Sequence, residues 1–411
     1  MECLKAKTVS ASPGSASGSA GRISVRGNTN QVIRANTTFS VNTRQTSLSG
    51  SSNAYQFELP LVATGTYDFY IDWGDSSALD HITAYNATCT IHTYATSGTY
   101  SVKIINNGTL QGWKFGNGGD ALKLGSLSSW GIMDFGTNAS GAFYGCENLR
   151  ISAGDDPIFT NTNSARNFFR SCVSLANSGT MNVATWNTST LVNTRDMFRS
   201  AVLTNSVGWE ELDMSNVTDA SFMFYDTTGA NSVNCTNWDL SSATTLRNMF
   251  SFTNFNRSLS WTLGSVTTMQ EIFLDCTSFN GAVDSLDMSS VTSLRSAFRG
   301  ATSFNQPVNS WNTANLSDAF ELFRNCDAFN QTLTGWDISS ITNIISFMYF
   351  ADGLNTANYD AMLIAWQGKT KNSGLTINMG GSQYTANSAA SIARNTMVNT
   401  DGWTINDGGP V

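Results

Sequence analysis

Two histidines, His81 and His92, are the only imidazoles in a chain of 411 residues, which leaves little material for acid–base chemistry near neutral pH. Neither belongs to an H-E-x-x-H pair, and no G-x-S-x-G turn, phosphate-cradling Gly-Lys loop or C-x-x-C spacing occurs. Acidic neighbours stand at Asp155-Asp156 and Glu210-Glu211. Two carboxylates hydrolyse a glycosidic bond only when a groove holds them about 5–10 Å apart, and a chain with 30 acidic residues places such pairs in loops by composition alone. The residues point to a protein that is not an enzyme and carries no cofactor.

Two recurring sets remain. Asn187, Asp213, Asp239, Asp287, Asn312 and Asp337 each follow a Trp or Leu at a regular interval. Side chain to backbone turn chemistry explains such a column. Calcium is the alternative, although each repeat offers one carboxylate where the ion takes six or more oxygens. Cys146, Cys172, Cys276 and Cys326 lie three residues after a recurring aromatic. A free Cys packs as a small hydrophobe, so this set reads as a buried ladder, with disulfides or a metal as the alternative.

The elements that position these residues form a repeat. Phe143, Phe169, Phe198, Phe224, Phe250, Phe273, Phe298, Phe323 and Tyr349 recur at steps of 23 to 29 residues. A second column, Trp130, Trp186, Leu212, Trp238, Trp261, Leu286, Trp311 and Trp336, precedes the first by 12 or 13 residues in most units. A period of about 25 residues describes a stacked solenoid in which each unit is one coil. Each coil is expected to hold a short strand and, after Thr218, Thr292 and Thr342, one or two helical turns capped by the Thr. Asn256, Asn280, Asn305, Asn330 and Asn355 share a column suited to an amide ladder along the stack. Residues 355–366 and 389–398 read as helices, and residues 367–411 as the cap an open solenoid needs.

Ahead of the repeats the pattern changes twice. Residues 1–50 are rich in Ser, Gly, Thr and Asn and hold Lys5, Lys7, Arg22, Arg26, Arg34 and Arg44 against Glu2 alone, in a chain of net charge −8. This basic stretch reads as an extended anchoring arm. Without interleaved aromatics it makes a poor nucleic-acid site. Residues 51–125 alternate in short strands at 56–60, 67–73 and 100–105, as in a β-sandwich. No apolar run of about 18 residues suggests a membrane helix, and the first residues show no apolar core of a secretory signal.

Two resemblances follow from motifs. Trp73-Gly74-Asp75-Ser76, His92-Thr93-Tyr94 and Gly98-Thr99-Tyr100-Ser101-Val102 resemble the PKD-type, immunoglobulin-like domain, which implies an extracellular spacer. The units Leu212-Asp213-Met214-Ser215-Asn216-Val217-Thr218 and Trp336-Asp337-Ile338-Ser339-Ser340-Ile341-Thr342, with Ala142-Phe143-Tyr144-Gly145-Cys146, are similar to BspA-like leucine-rich-repeat surface proteins. The expectation is a mainly β protein: arm (1–50), PKD-like sandwich (51–125), solenoid of about nine units with short helices (126–366) and cap (367–411). Its expected role is a virion surface component, a bacteriophage capsid or tail decoration or fibre. The arm would hold neighbouring subunits in a multi-copy assembly while the repeats bind a host or environmental glycan or protein. A bacterial secreted adhesin is the alternative.

Overall fold

The computed structural model describes residues 34–159, 161–175 and 181–411. Lys5, Lys7, Arg22 and Arg26 lie outside the described residues. The fold is mainly β. Strands β1 (Thr37–Asn42), β2 (Gln56–Glu58), β3 (Thr66–Asp72), β4 (Asp80–Ile82), β5 (Ile91–Thr93), β6 (Thr99–Ile104) and β7 (Thr109–Gln111) alternate buried and outward side chains. Phe39 and Val41 of β1, Phe69 and Ile71 of β3, and Val102 and Ile104 of β6 therefore fall on one apolar face.

The arm ends earlier than composition suggests. β1 pairs with β6 on one side, Phe39 opposite Val102, and on the other with β8 (Leu124–Ser129). An inner strand is thus made from residues inside the stretch expected to be an arm. Arg34 and Arg44 are engaged by the folded body: Arg34 Nη1 donates to the Gly131 carbonyl at 3.5 Å and Arg44 Nη2 to the Ser97 carbonyl at 2.8 Å. The expected boundary at residue 125 also falls within β8.

The sheet runs on into the repeats. β9 (Met133–Asp134) lies parallel to β7, β10 (Arg150–Ile151) lies parallel to β8, and Asp134 bridges Ile158. The β domain is thus the first layer of the stack. Beyond it, β11 (Met181–Asn182) and β12 (Ser206–Val207) pair with each other. Most coils contribute single bridge residues: Asn138, Ser164, Asn193, Asp219, Thr245, Thr268, Ser293, Asp318 and Asn343 join in one parallel line.

The main inter-coil ladder surrounds the aromatic column. Each column N–H donates to the carbonyl just before the next column residue: Phe224 to Met249 at 3.0 Å, Phe250 to Ile272 at 2.9 Å, Phe298 to Leu322 at 3.1 Å. Within the coil the next donors close turns, such as Cys326 N to the Phe323 carbonyl at 3.1 Å. Helical turns were expected here. Instead, the residues two before and two after the aromatic are left-handed, as at Glu321 (φ 53°) and Asn325 (φ 56°), which no right-handed helix accommodates. Nor do the Thr side chains cap helices: Thr292 Oγ1 donates to the Thr267 carbonyl at 3.1 Å and Thr342 Oγ1 to the Ser317 carbonyl at 3.2 Å, both in the preceding coil. Among the described residues between 130 and 354, the helical pieces of the coils are the 3₁₀ turns Trp209–Glu211 and Ala230–Ser232. The ladder also shifts the last column member. Phe323 N donates to the Phe347 carbonyl at 2.8 Å, so Met348 holds the column and Tyr349 faces outward.

Side chains reinforce the stack. Asn280, Asn305, Asn330 and Asn355 each donate a backbone N–H to the Oδ1 of the preceding column Asn, at 2.7–3.0 Å, and Asn231 starts the line by accepting from Asn256. Trp261, Trp311 and Trp336 donate Nε1–H to carbonyls of the preceding coil (Cys235, Val283, Val308) at 2.6–3.0 Å.

The C-terminal segment extends this scheme with two helix-bearing coils in place of a separate cap. Asn355 ends the amide line and caps α1 (Thr356–Gln367) by accepting from Asn358 N. Trp366 in α1 extends the indole series to the Leu333 carbonyl at 3.0 Å. β13 (Thr376–Asn378) and β14 (Thr404–Asn406) pair in parallel, with α2 (Ala389–Asn399) between them.

Replacing Trp336 by Phe keeps an aromatic in the column but removes the indole bond, leaving the Val308 carbonyl with the Trp311 N–H at 3.3 Å as its remaining donor. The expected loss is about 0.5–1.5 kcal/mol, read as a lower urea midpoint at an unchanged slope. An unchanged midpoint would show that the indole bonds do not hold coils together.

Candidate functional site

The residues singled out by sequence separate into interior and surface sets. Phe143, Phe169, Phe198, Phe224, Phe250, Phe273, Phe298 and Phe323 are buried, as are Trp186, Trp238, Trp311 and Trp336. The Phe rings stack coil on coil, at 5.7 Å for Phe198 and Phe224 and 5.3 Å for Phe224 and Phe250.

Cys146, Cys172, Cys276 and Cys326 are free and buried. Cys172 Sγ donates to the Phe143 carbonyl at 3.1 Å and Cys326 Sγ to the Phe298 carbonyl at 2.8 Å. In the same column Thr227 Oγ1 donates to the Phe198 carbonyl at 2.7 Å. The column therefore selects small side chains, Ala201, Ala301 and Ala351 included, and Cys or Thr there adds a donor to the preceding coil. Burial pushes the thiols up, Cys276 to about 11.

The Asx column forms turns. Ser241, Ser289 and Ser339 each donate a backbone N–H at 2.9 Å to the Oδ1 of Asp239, Asp287 and Asp337. Bonds from Ser289 and Ser339 hold Asp287 and Asp337 below the usual carboxylate range. Among the described residues no group of three or more His, Cys, Asp and Glu is arranged to hold a metal ion.

The Trp-Gly-Asp and His-Thr-Tyr motifs meet in the β domain. His92 stacks on Trp73 at 4.7 Å and its Nε2 lies 2.8 Å from Asp75 Oδ2, while Tyr94 OH donates to the Trp73 carbonyl at 3.2 Å. Burial tends to raise the Asp75 pKa, but the bonds from Ser77 and His92 outweigh it and hold the carboxyl low. The cluster is wholly occupied with itself. A second internal pair gave no sequence signal: Lys123 and Asp120, both fully buried, lie 3.0 Å apart, and Lys123 Nζ also donates to the carbonyls of Ser52, Asn53 and Gln56. It pins the loop ahead of β2.

The outward surface holds the feature missed in sequence. Left-handed residues on either side of each column aromatic turn the positions three before and one after it toward solvent. Arg166, Arg170, Arg195, Arg199, Arg247, Arg295, Arg299 and Arg324 occupy these positions. Between Trp130 and Leu354 the only other cationic residues are Arg150 and Arg257. Aromatics fill neighbouring places and the guanidinium planes lie over them: Arg170 over Tyr144 at 5.0 Å, Arg199 over Tyr225 at 4.4 Å, Arg295 over Phe320 at 4.0 Å and Arg324 over Tyr349 at 5.2 Å. Buried carboxylates hold the arginines in place. Asp196 takes Arg199 at 3.1 Å, Arg195 at 3.3 Å and Arg170 at 4.0 Å, and Glu321 takes Arg299 at 2.9 Å as well as Arg324. Asp196 is shared among three guanidinium groups, whereas Glu271 takes Arg247 at 3.9 Å and Asp318 takes Arg295 at 3.7 Å. The spacing was open to inspection, but a column of Arg and aromatics registers as a face only once the turn geometry is known.

At the C-terminal end of this face is a hollow of about 290 Å³, lined by Tyr349, Phe350, Asp352, Asn378, Gly380, Gly381, Asn406 and Asp407. Among the described residues no helix is long and apolar enough to cross a membrane.

Fold and surface together define a mainly β repeat protein with an ordered face of arginine and aromatic side chains. Residues 163–263 and 251–361 match a family model described as "Mycoplasma protein of unknown function, DUF285", which is consistent with repeats of the BspA-like surface kind. No curated protein and no solved structure matches the chain.

The thiol of Cys276, raised to about 11, is almost entirely protonated at pH 8 and shielded. Iodoacetamide at that pH is expected to leave the four column cysteines unmodified in the native protein and to label them in urea, as read by peptide mass spectrometry. Labelling of the native protein at the unfolded rate would contradict the buried ladder.

Proposed function

We propose that this protein is a non-enzymatic surface protein that adheres to a host or environmental glycan or protein, with the coil stack as its display element. The observation that supports this reading is the arginine and aromatic face, ordered in columns and preorganised by buried carboxylates. Arg and aromatic side chains are the residues enriched where surfaces bind partners. In this reading the β domain is a PKD-type, immunoglobulin-like sandwich that acts as a spacer, and the stack is a leucine-rich-repeat-type solenoid.

The setting we favour is a virion, as a bacteriophage capsid or tail decoration or fibre component. It would be present in many copies and held to neighbouring subunits by the basic residues within 1–50. The bacterial cell-surface adhesin is the second reading, and the match to a family described from Mycoplasma favours it.

Wild type and an Arg199→Glu, Arg324→Glu double variant, tested against immobilised glycans and envelope proteins, check the adhesive face. At least a tenfold loss of binding in the variant is expected, measured at a temperature where circular dichroism shows both proteins folded, because each new Glu faces a buried carboxylate, Asp196 or Glu321. No binding by wild type, or equal binding by both, would overturn the assignment. Immunogold labelling of particles against cell envelopes decides the setting.

A further inference from the structure

We infer that the hollow at the C-terminal end of the stack binds one unit of a neutral sugar, with Phe350 as the stacking platform. The inference rests on the adhesion reading and refines it; the hollow lies beyond the last arginine of the columns, Arg324, which borders Phe350 but does not line the hollow.

The hollow arises from a change in the repeat. In the positions one and two after the column residue, successive coils carry Arg324 and Asn325, then Tyr349 and Phe350, then Gly380 and Gly381. The wall drops where the two glycines follow, and one ring face of Phe350 is uncovered. Phe350 is 56% exposed. Its other contacts hold it firmly: Tyr349 stacks at 3.8 Å between centroids and the Arg324 guanidinium lies 6.0 Å from its ring. Gly380 is obligatory, because it is left-handed (φ 61°) and a Cβ there would sit 2.7 Å from the Ala351 carbonyl oxygen, whereas a Cβ on Gly381 would meet only the end of the Asp352 side chain, at 2.9 Å from Oδ1.

Phe350 also adopts φ 60°, a left-handed conformation that is costly for a bulky residue. The equivalent positions of other coils are left-handed too, Phe252 and Asn325 among them, so the conformation belongs to the stack; what sets Phe350 apart is the hollow beside its ring.

The polar groups specify the ligand. Asn378 and Asn406 are register partners on β13 and β14, so their side chains share a face. Asn378 Oδ1 accepts from Gly380 N at 2.9 Å, which leaves Nδ2 to donate. The Asn406 amide bonds to no other described residue and offers both a donor and an acceptor. Asp352 Oδ1 accepts from Gly381 N at 3.0 Å, leaving Oδ2 to accept. Asp407 is ion-paired with Arg394 at 2.7 Å and accepts a hydrogen bond from the Tyr359 hydroxyl at 2.8 Å. Mixed donors and acceptors suit vicinal hydroxyls, and an aromatic face suits the C–H side of a pyranose ring. The free carboxylate disfavours an anion. At about 290 Å³ the hollow is at the small end for ligand pockets, which fits one sugar unit.

The test uses the full chain on an array of neutral and acidic glycans, followed by calorimetry with the neutral oligosaccharides retained, maltoheptaose and cellohexaose included. Binding of at least one neutral glycan is expected with a Kd on the order of 0.1–10 mM. Phe350→Ala and Asn406→Ala are expected to weaken it at least fivefold without changing the melting temperature. Phe252→Ala, the same column position with an exposed ring but outside the hollow, and Arg199→Ala are expected to leave it unchanged. Binding of acidic glycans only, no glycan binding, or a Phe350→Ala variant that binds as wild type would overturn the sugar site. Neutral binding lost with Arg199→Ala but retained with Phe350→Ala would place the sugar on the arginine face, leaving the adhesion reading intact and the hollow empty of role.

Discussion

The backbone hydrogen bond from one coil to the next, beside the aromatic column, is the constraint on which the rest of the structure depends. A single coil of about 25 residues has one apolar face and cannot bury it alone. Bonds such as Phe250 N to the Ile272 carbonyl and Phe298 N to the Leu322 carbonyl fix the vertical register. With the register fixed, like residues fall above like: Phe over Phe, Asn over Asn, Trp indole under carbonyl. Burial of each Phe contributes about 1.5–3 kcal/mol, and stacked aromatic pairs about 0.5–1.5 kcal/mol more. The same register determines the outside, because it aligns the arginines around Asp196 and Glu321.

An open stack must also end twice. At the start the β domain supplies the template, with β7 and β8 presenting edges to β9 and β10. At the far end the coils exchange their turn for a helix, first α1 and then α2. The exchange conserves the internal contacts, since Trp366 reaches the Leu333 carbonyl from a helix as Trp336 reaches Val308 from a turn. It alters the outer columns, where Gly380 and Gly381 replace the large side chains and open the hollow beside Phe350.

Burial was the legible part of the sequence. Columns of Phe, Trp, Cys and Asn recur because each occupies an interior or ladder position that tolerates few alternatives, and they locate the coils. Backbone conformation was not legible in the same way. Many left-handed positions hold turn formers, such as Gly145, Asn167, Asp196, Asn248 and Asn325, but Phe222, Phe252, Glu271 and Glu321 occupy the same places, so the turn signal is broken along the chain and the helix-like spacing dominates. The last unit was misplaced by one residue because Tyr349 imitates the column aromatic, whereas the ladder selects Met348. β1 was hidden in a Ser- and Thr-rich context: its Thr37, Phe39 and Val41 are a minimal alternating signal that pairing with β6 and β8 makes decisive. The Arg column could not be seen as a surface until the turns showed which positions face out.

Hydrogen exchange resolved to single amides tests the account most directly. If the inter-coil ladder holds the stack, the N–H groups of Phe224, Phe250, Phe298 and Phe323 exchange only with global unfolding, together with Asn280 and Asn305, whereas the exposed N–H groups of the intervening loops exchange quickly. Fast exchange of the column amides under native conditions, with protection confined to the β domain, would contradict a structure built on stacked coils.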